Sequence, residues 1–231
     1  MRIKAVVFDI GQTLVHYPIP LNWSALYRPA FEHIEGKLGL SLSEEAYAHI
    51  GQTLAKYNTR IHPRDKEVSS DLIFTELLEG TGIHGEMKET VKKEFYDYFR
   101  NEARVYPEAE GTLAELAGRG IVTATLSDVA YGMDNRYALE DIRPLLKYIR
   151  YPCTSNDTLW RKSSSQSLLV LAEKMGMPAR DIAFVGDEIK DVKCAKGAGA
   201  VSVLINRTGE RKDYGQDYEI KDLREVIRLI N

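Results

Sequence analysis

The sequence predicts an α/β fold: a parallel sheet of buried strands, broken by an inserted helical segment. Three observations carry that prediction. Short apolar runs recur, each ending in Gly, Ser or Asp and leading into a helical pattern. The runs lack the polar alternation of a half-exposed strand, which is the mark of strands covered on both faces. One long early stretch has helical periodicity and almost no strand signal.

In chain order, residues 3–8 form the first apolar run, and 121–126, 182–185 and 200–204 the later ones. Helical patterns cover 108–119, 163–175 and 189–198, with Gly176 and Pro178 as a stop after the second. Strand alternating with helix reads as an open, Rossmann-like sheet joined by right-handed crossovers. Between the first run and the rest, Tyr27, Ala30, Phe31, Ile34 and Leu38 recur at helical spacing, as do Met87, Val91, Phe95, Tyr98 and Phe99. Ser41 followed by Glu44 reads as a capping box opening another helix, and a fourth helix runs through 70–78. The aromatic stripes read as bundle core. Residues 1–16 and 104–231 are therefore assigned to the α/β core and 17–103 to a helical insertion. Residues 218–231 read as a short extended segment followed by an amphipathic helix.

Composition narrows the function. Of 231 residues, 44% are hydrophobic and 28% charged, and the formal net charge of -3 offers no basic surplus for nucleic acid. Cys153 and Cys194 form no Cys-x-x-Cys pair and fit a reducing compartment as small core residues. No apolar run approaches the ~20 residues of a membrane helix, and the N-terminal run leads straight into polar chain. The expectation is a cytoplasmic protein with no nucleic-acid or membrane partner; the oligomeric state is not readable.

Chemistry-bearing residues gather at strand ends. Asp9 closes the run in Val6-Val7-Phe8-Asp9-Ile10-Gly11-Gln12-Thr13-Leu14, where open α/β sheets bind ligands. Ser127 follows the second run, Lys162 precedes a helix, and Gly186-Asp187-Glu188-Ile189-Lys190-Asp191 follows the third. Singly, each reads as a turn residue, a surface charge or a helix-start carboxylate. Together they converge on one crevice.

These segments resemble the haloacid dehalogenase superfamily, most of whose members are phosphatases. Phe8-Asp9-Ile10-Gly11-Gln12-Thr13-Leu14 resembles its first motif, Leu126-Ser127-Asp128 its second, Lys162 its third, and Gly186-Asp187 with Asp191 its fourth. Tyr106-Pro107 with Gly111 resembles the lead-in to the helix before the second motif, and the helical insertion resembles the family's cap. The resemblance implies a magnesium-dependent phosphatase acting on a small phosphorylated substrate through an aspartyl-phosphate on Asp9. Asp9, the Gly11 carbonyl, Asp187 and Asp191 would hold Mg2+, while Ser127, the backbone beside Asp128 and Lys162 would bind phosphate.

Two departures matter. Where most family phosphatases carry a second Asp, this chain has Gly11, which keeps the carbonyl and loses the general acid–base group, typically worth ~10²–10⁴-fold. A good leaving group, such as an aryl or acyl phosphate, or a substitute such as His16 or a metal-bound water, would have to compensate. Ser163, Ser164 and Ser165 replace the prolines that commonly follow the third-motif lysine. Three alternatives remain on the same fold. Haloacid dehalogenation needs no metal, phosphonate hydrolysis needs a cap lysine not identifiable among Lys37, Lys56 and Lys66, and a non-catalytic phosphate-binding protein would show no turnover. Arg60, His62, Arg64 and Lys66 form a charged loop in the insertion that could meet a second anionic group or remain solvated.

Overall fold

The computed structural model describes residues 3–19 and 22–230; the end of the predicted C-terminal helix at Asn231 lies outside them. The first apolar run gives β1 (Ala5–Phe8), buried at every position. A two-residue β2 (Val15–His16) follows, and then four helices, α1 (Tyr27–Leu38), α2 (Glu44–Tyr57), α3 (Ser70–Leu77) and α4 (Gly85–Arg100). The chain returns through β3 (Arg104–Val105), which pairs antiparallel with β2, Val15 opposite Val105 and His16 opposite Arg104. There follow α5 (Ala109–Gly118), β4 (Val122–Ser127), α6 (Asn135–Ala138), β5 (Tyr151–Thr154), α7 (Ser155–Thr158), α8 (Gln166–Lys174), β6 (Ile182–Gly186), α9 (Ile189–Ala198), β7 (Val201–Ile205) and β8 (Tyr218–Ile220).

Six strands pair in parallel in the order β5-β4-β1-β6-β7-β8. In β1 the pleat sends Val6 and Phe8 into one core layer, with Leu113 and Val226, and Ala5 and Val7 into the other, with Leu168 and Ala195. Both faces are covered, which is why the run shows no polar alternation. Because β1 lies between β4 and β6, the ends of three strands open into one crevice at the point where the strand order reverses.

Several sequence expectations shift. β5 was not expected, because Tyr151-Pro152-Cys153-Thr154 contains a proline; it lies at the sheet edge, where a missing N–H is tolerated. Ser43, not Ser41, caps α2, accepting from Ala46 N at 3.2 Å, since the chain stays outside the helix while Leu42 N donates to the Glu35 carboxylate. The serine run Ser163–Ser165 forms a turn, so α8 begins only at Gln166. The predicted C-terminal helix is a tighter 3₁₀ segment, Leu223–Leu229, capped reciprocally by Asp222 and Glu225. Both cysteines are free and buried. Among the described residues no helix is long and apolar enough to cross a membrane.

The helices α1–α4 enclose a second apolar cluster. Trp23 stacks on Phe99 with ring centroids 4.4 Å apart, and Phe95 presents edges to Trp23, Phe74, Tyr96 and Phe99. Three residues after β4, Val129, Tyr131 and Met133, belong to this same cluster. Tyr96 Oη donates to Tyr131 O at 2.9 Å, and Tyr131 Oη donates to Leu54 O at 3.2 Å. The loop leaving the sheet is thus buried among the inserted helices.

Gly132 makes that fit possible. Its φ is +66°, and a Cβ there would stand 2.3 Å from Val68 O. A backbone atom cannot yield that much. Gly132→Ala is expected to destabilise the protein by about 2–4 kcal/mol, read as a clear fall in Tm; an unchanged Tm would show that this loop and the helices are not tightly joined.

Candidate active site

Asp9 leaves β1 at the crevice floor, its N–H donating to Val185 O of β6 at 2.9 Å. Its side chain is buried and faces Lys162, whose ammonium lies 2.7 Å from Asp9 Oδ1 and 2.6 Å from Asp191 Oδ1. Lys162 is only 1% exposed, so its charge is held almost wholly by these carboxylates. Burial alone would depress its pKa, but Asp191, Asp9 and Asp128 outweigh that and raise it well above the ordinary lysine value.

Asp191 does two jobs in one conformation. Its Oδ2 accepts the Glu188 N–H at 2.9 Å, closing a reciprocal cap on α9, while Oδ1 faces the ammonium. The residue thus caps the helix and also faces the crevice. It comes this close because residue 186 is glycine: a Cβ there would lie 2.3 Å from Asp191 Cγ.

Asp187, half-buried, completes an acidic trio in which one carboxylate oxygen each from Asp9, Asp187 and Asp191 lies within 4.8 Å of the others. Burial and then the negative charges of Asp9, Asp191 and Glu188 push the Asp187 pKa up to about 8. Asp191 is raised too, chiefly by burial and by Asp9 against the opposing Lys162. Fully ionised, three carboxylates against the one ammonium between them would leave a deficit of two positive charges, and the raised Asp187 pKa is the response to it. An all-oxygen donor set with that deficit fits a hard divalent cation such as Mg2+.

Ser127 ends β4 and, with Asp9, Gly11, Asp128, Lys162 and Asp187, lines a cavity of ≈ 120 Å³. That is close to the ~150 Å³ that admits a benzene ring, so it suits a phosphate with a few further atoms. Asp128 Oδ1 accepts the Lys162 N–H at 2.8 Å. Its burial would raise its pKa, but Arg161, Lys190 and Lys162 outweigh that and lower it to about 2. A wider groove of ≈ 540 Å³ adjoins the cavity, lined by Arg60, Arg64, Lys190 and Lys212 among others.

All the sequence-predicted site residues therefore meet in one crevice, with Gly11 lining the same cavity. The secondary candidates fare differently. His16 is exposed, with Nδ1 3.1 Å from Gln12 Oε1, and does not line the cavity. Of the charged loop, Arg60 reaches the cavity and pairs with Glu188 at 2.7 Å, and Arg64 borders the groove while donating to Tyr57 O. His62 is exposed, and Lys66 sits 3.2 Å over the Trp160 ring. Lys37 and Lys56 pair with Glu94 and Glu76, and neither these two nor Lys66 lines the cavity, where phosphonate hydrolysis would need a cap lysine. Sequence reasoning missed Arg161 and Lys190, although they stand beside and within motifs it had marked. It also missed Tyr17, Trp23 and Arg100, for which spacing offered no signal.

A six-stranded parallel sheet, with a carboxylate trio and a buried lysine at its switch point and helices inserted after the first strand, defines a class of acid-centred α/β hydrolases. A sequence model of the haloacid dehalogenase-like hydrolases matches residues 3–199, and the chain belongs to that family. Among curated relatives, phosphoglycolate phosphatase of Escherichia coli is 27% identical over 160 residues, 64% of this chain and 59% of the relative. The chain thus matches under two thirds of the length of such relatives. Among solved structures, a haloacid dehalogenase-superfamily phosphatase of Thermococcus onnurineus superposes with a TM-score of 0.67 at 24% identity, covering 99% of this chain and 98% of that one. A 2-haloacid dehalogenase of Pseudomonas syringae gives 0.69 at 20% identity, covering the same shares. These likenesses establish the fold.

The raised Asp187 pKa sets a pH dependence. Its folded value lies above the ordinary 3.8, so the metal-free protein loses stability from this group as pH rises from there through about 8. A divalent cation competes with that proton and should bind more tightly at pH 8 than at pH 6. The expected result is a Mg2+-induced rise in Tm that is larger at pH 8. Asp187→Asn should remove it and stabilise the metal-free protein by at least ~1.4 kcal/mol, the equivalent of one pKa unit. A pH-independent Mg2+ effect in the wild type would contradict the charge deficit.

Proposed function

We propose that this chain is a magnesium-dependent phosphatase for a small phosphorylated substrate, with Asp9 as nucleophile and residues 17–103 as the cap over the site. One observation carries the reading: three converging carboxylates with one buried lysine between them. Such a surplus of negative charge repels an anionic substrate unless a cation joins it, and metal-free dehalogenation gives no reason for the third carboxylate.

Asp9, Asp187, Asp191 and the Gly11 carbonyl would hold Mg2+, which when bound screens the carboxylate from the phosphoryl group and stabilises charge in the transition state. Ser127 and the Asp128 N–H hold phosphate oxygens, the following N–H, of Val129, being taken by Ser155 Oγ, and Lys162 adds a fixed positive charge without being free to swing. An Asp9 carboxylate oxygen forms a bond to phosphorus as the ester oxygen departs with its electron pair. Water then attacks the phosphorus of the acyl phosphate, releasing inorganic phosphate and restoring Asp9.

The first half-reaction lacks a proton donor at position 11. That favours substrates whose leaving oxygen needs little protonation, such as aryl or acyl phosphates. A Cβ on Gly11 would lie 3.8 Å from the Tyr17 ring, an ordinary contact, so a carboxylate can be restored there.

Release of nitrophenol from an aryl phosphate is expected to require Mg2+, to stop with a chelator, and to fall at least ~10³-fold in Asp9→Ala; turnover surviving in that variant rules out the mechanism. Gly11→Asp is expected to raise kcat/KM on an alkyl phosphate about 10–100-fold while changing the aryl phosphate little. An unchanged preference between the two would mean that leaving-group protonation does not limit this enzyme.

A further inference from the structure

We infer that Glu67, on the inserted loop between α2 and α3, is a positioning residue that acts through Arg161 and Ser155 on the phosphate-binding turn; the inference rests on the phosphatase reading above. Glu67 is remote in sequence from every motif, yet its side chain is 3% exposed and its carboxylate meets Arg161 and Ser155, which follow β5 of the sheet. It accepts from the Arg161 guanidinium, from Ser155 Oγ at 2.5 Å and from the Val68 N–H at 2.9 Å.

Both groups it holds go on to grip one residue. Ser155 Oγ accepts the Val129 N–H at 3.0 Å, and Arg161 donates to Val129 O at 2.9 Å. Val129 immediately follows Ser127-Asp128. The same Arg161 lies 3.7 Å from Asp128 Oδ2, and Asp128 Oδ1 takes the N–H of Lys162, the next residue along the chain. A single carboxylate therefore fixes the donor and acceptor of the residue after the phosphate turn, and sets the cation beside that turn.

The backbone reinforces the register. Glu67 N donates to Leu159 O at 3.2 Å, Arg161 N donates to Asp65 O at 2.8 Å, and Ser163 Oγ donates to Arg64 O at 2.8 Å. The loop of the insertion is laid directly along the segment carrying Lys162.

Charge explains why a carboxylate is needed. Without it, Arg161 keeps Asp128 as its remaining anion and is drawn toward it. That competes with the Asp128–Lys162 N–H bond and loosens the turn that holds phosphate oxygens. A buried ion pair is a poor device for stability alone, since apolar residues of like volume serve as well; its value here is positional. Outer partners that orient binding groups typically matter by ~10–100-fold.

The test uses the full chain with Mg2+ and inorganic phosphate, titrated calorimetrically at a temperature where each variant is folded. Glu67→Gln is expected to weaken phosphate binding about tenfold and to lower kcat, whereas Glu94→Gln, at a buried carboxylate of the insertion paired with Lys37, lowers Tm alone. Adding Glu67→Gln to Arg161→Gln should weaken phosphate binding by clearly less than the sum of the two single losses, because only the link through Ser155 is left to lose. Should Glu67→Gln fail to fold, Ser155→Ala breaks one of its two links to Val129 and should still weaken phosphate binding measurably. Unchanged phosphate affinity in the folded variant, or fully additive effects with Arg161→Gln, overturns the inference while leaving the phosphatase reading intact. A wild type that neither binds phosphate nor hydrolyses an ester brings down both.

Discussion

The structure turns on a buried ammonium. Lys162 has almost no contact with water, and an unpaired charge at that depth is not tolerated in a protein interior. It persists because Asp9 and Asp191 approach it from the end of one strand and the first turn of one helix. That demand sets the course of three chain segments at once. Asp9 must leave β1 toward the crevice, α9 must begin where Asp191 can both cap it and face inward, and residue 186 must carry no side chain. The same pairing leaves the Asp187 carboxyl with its pKa raised to about 8, the feature on which the proposed cation site rests.

A second constraint joins the helical insertion to this centre. Non-glycine residues with positive φ occur at Gln12, Tyr131 and Leu159, in the loops after β1 and β4 and in the approach to Lys162. Such conformations cost on the order of 1–3 kcal/mol each and persist only when their surroundings over-determine them. Gln12 is held by donating to Tyr17 O at 3.0 Å and accepting from Tyr106 Oη at 3.3 Å, and Tyr131 is held at both hydroxyl and carbonyl by α2 and α4. In this arrangement the loops that form the site are packed into the insertion rather than merely covered by it.

The periodic parts of the fold were legible in the sequence. Central strands buried on both faces announce themselves as unbroken apolar runs, and helices with one apolar stripe by their spacing, so β1, β4, β6, β7 and the helices α1–α4 were read close to where they lie. β5 was not, because a proline in a four-residue edge strand looks like a break when the edge is unknown. The α2 cap was misplaced by two residues, since two serines compete locally and a side chain from α1 decides between them. The start of α8 moved because three serines can continue a helix or form a turn with little local preference.

The site divides the same way. Order along the chain placed Asp9, Ser127, Lys162, Asp187 and Asp191 where strands end or helices begin, termini that meet in an open parallel sheet, and the resemblance of these segments to the family motifs gave them their expected roles. What the sequence by itself determined is therefore a sheet whose ends gather these groups, together with the absence of a carboxylate at Gly11. The tertiary structure alone decided how their charges balance: that Lys162 lies between two aspartates, that Asp187 is left raised, and that His16 stays outside. It also decided that Glu67 and Arg161, 94 residues apart, share a buried bond. The reason is physical: local pattern encodes which face of an element is buried, whereas electrostatic pairing depends on distances that exist only once separate elements have packed.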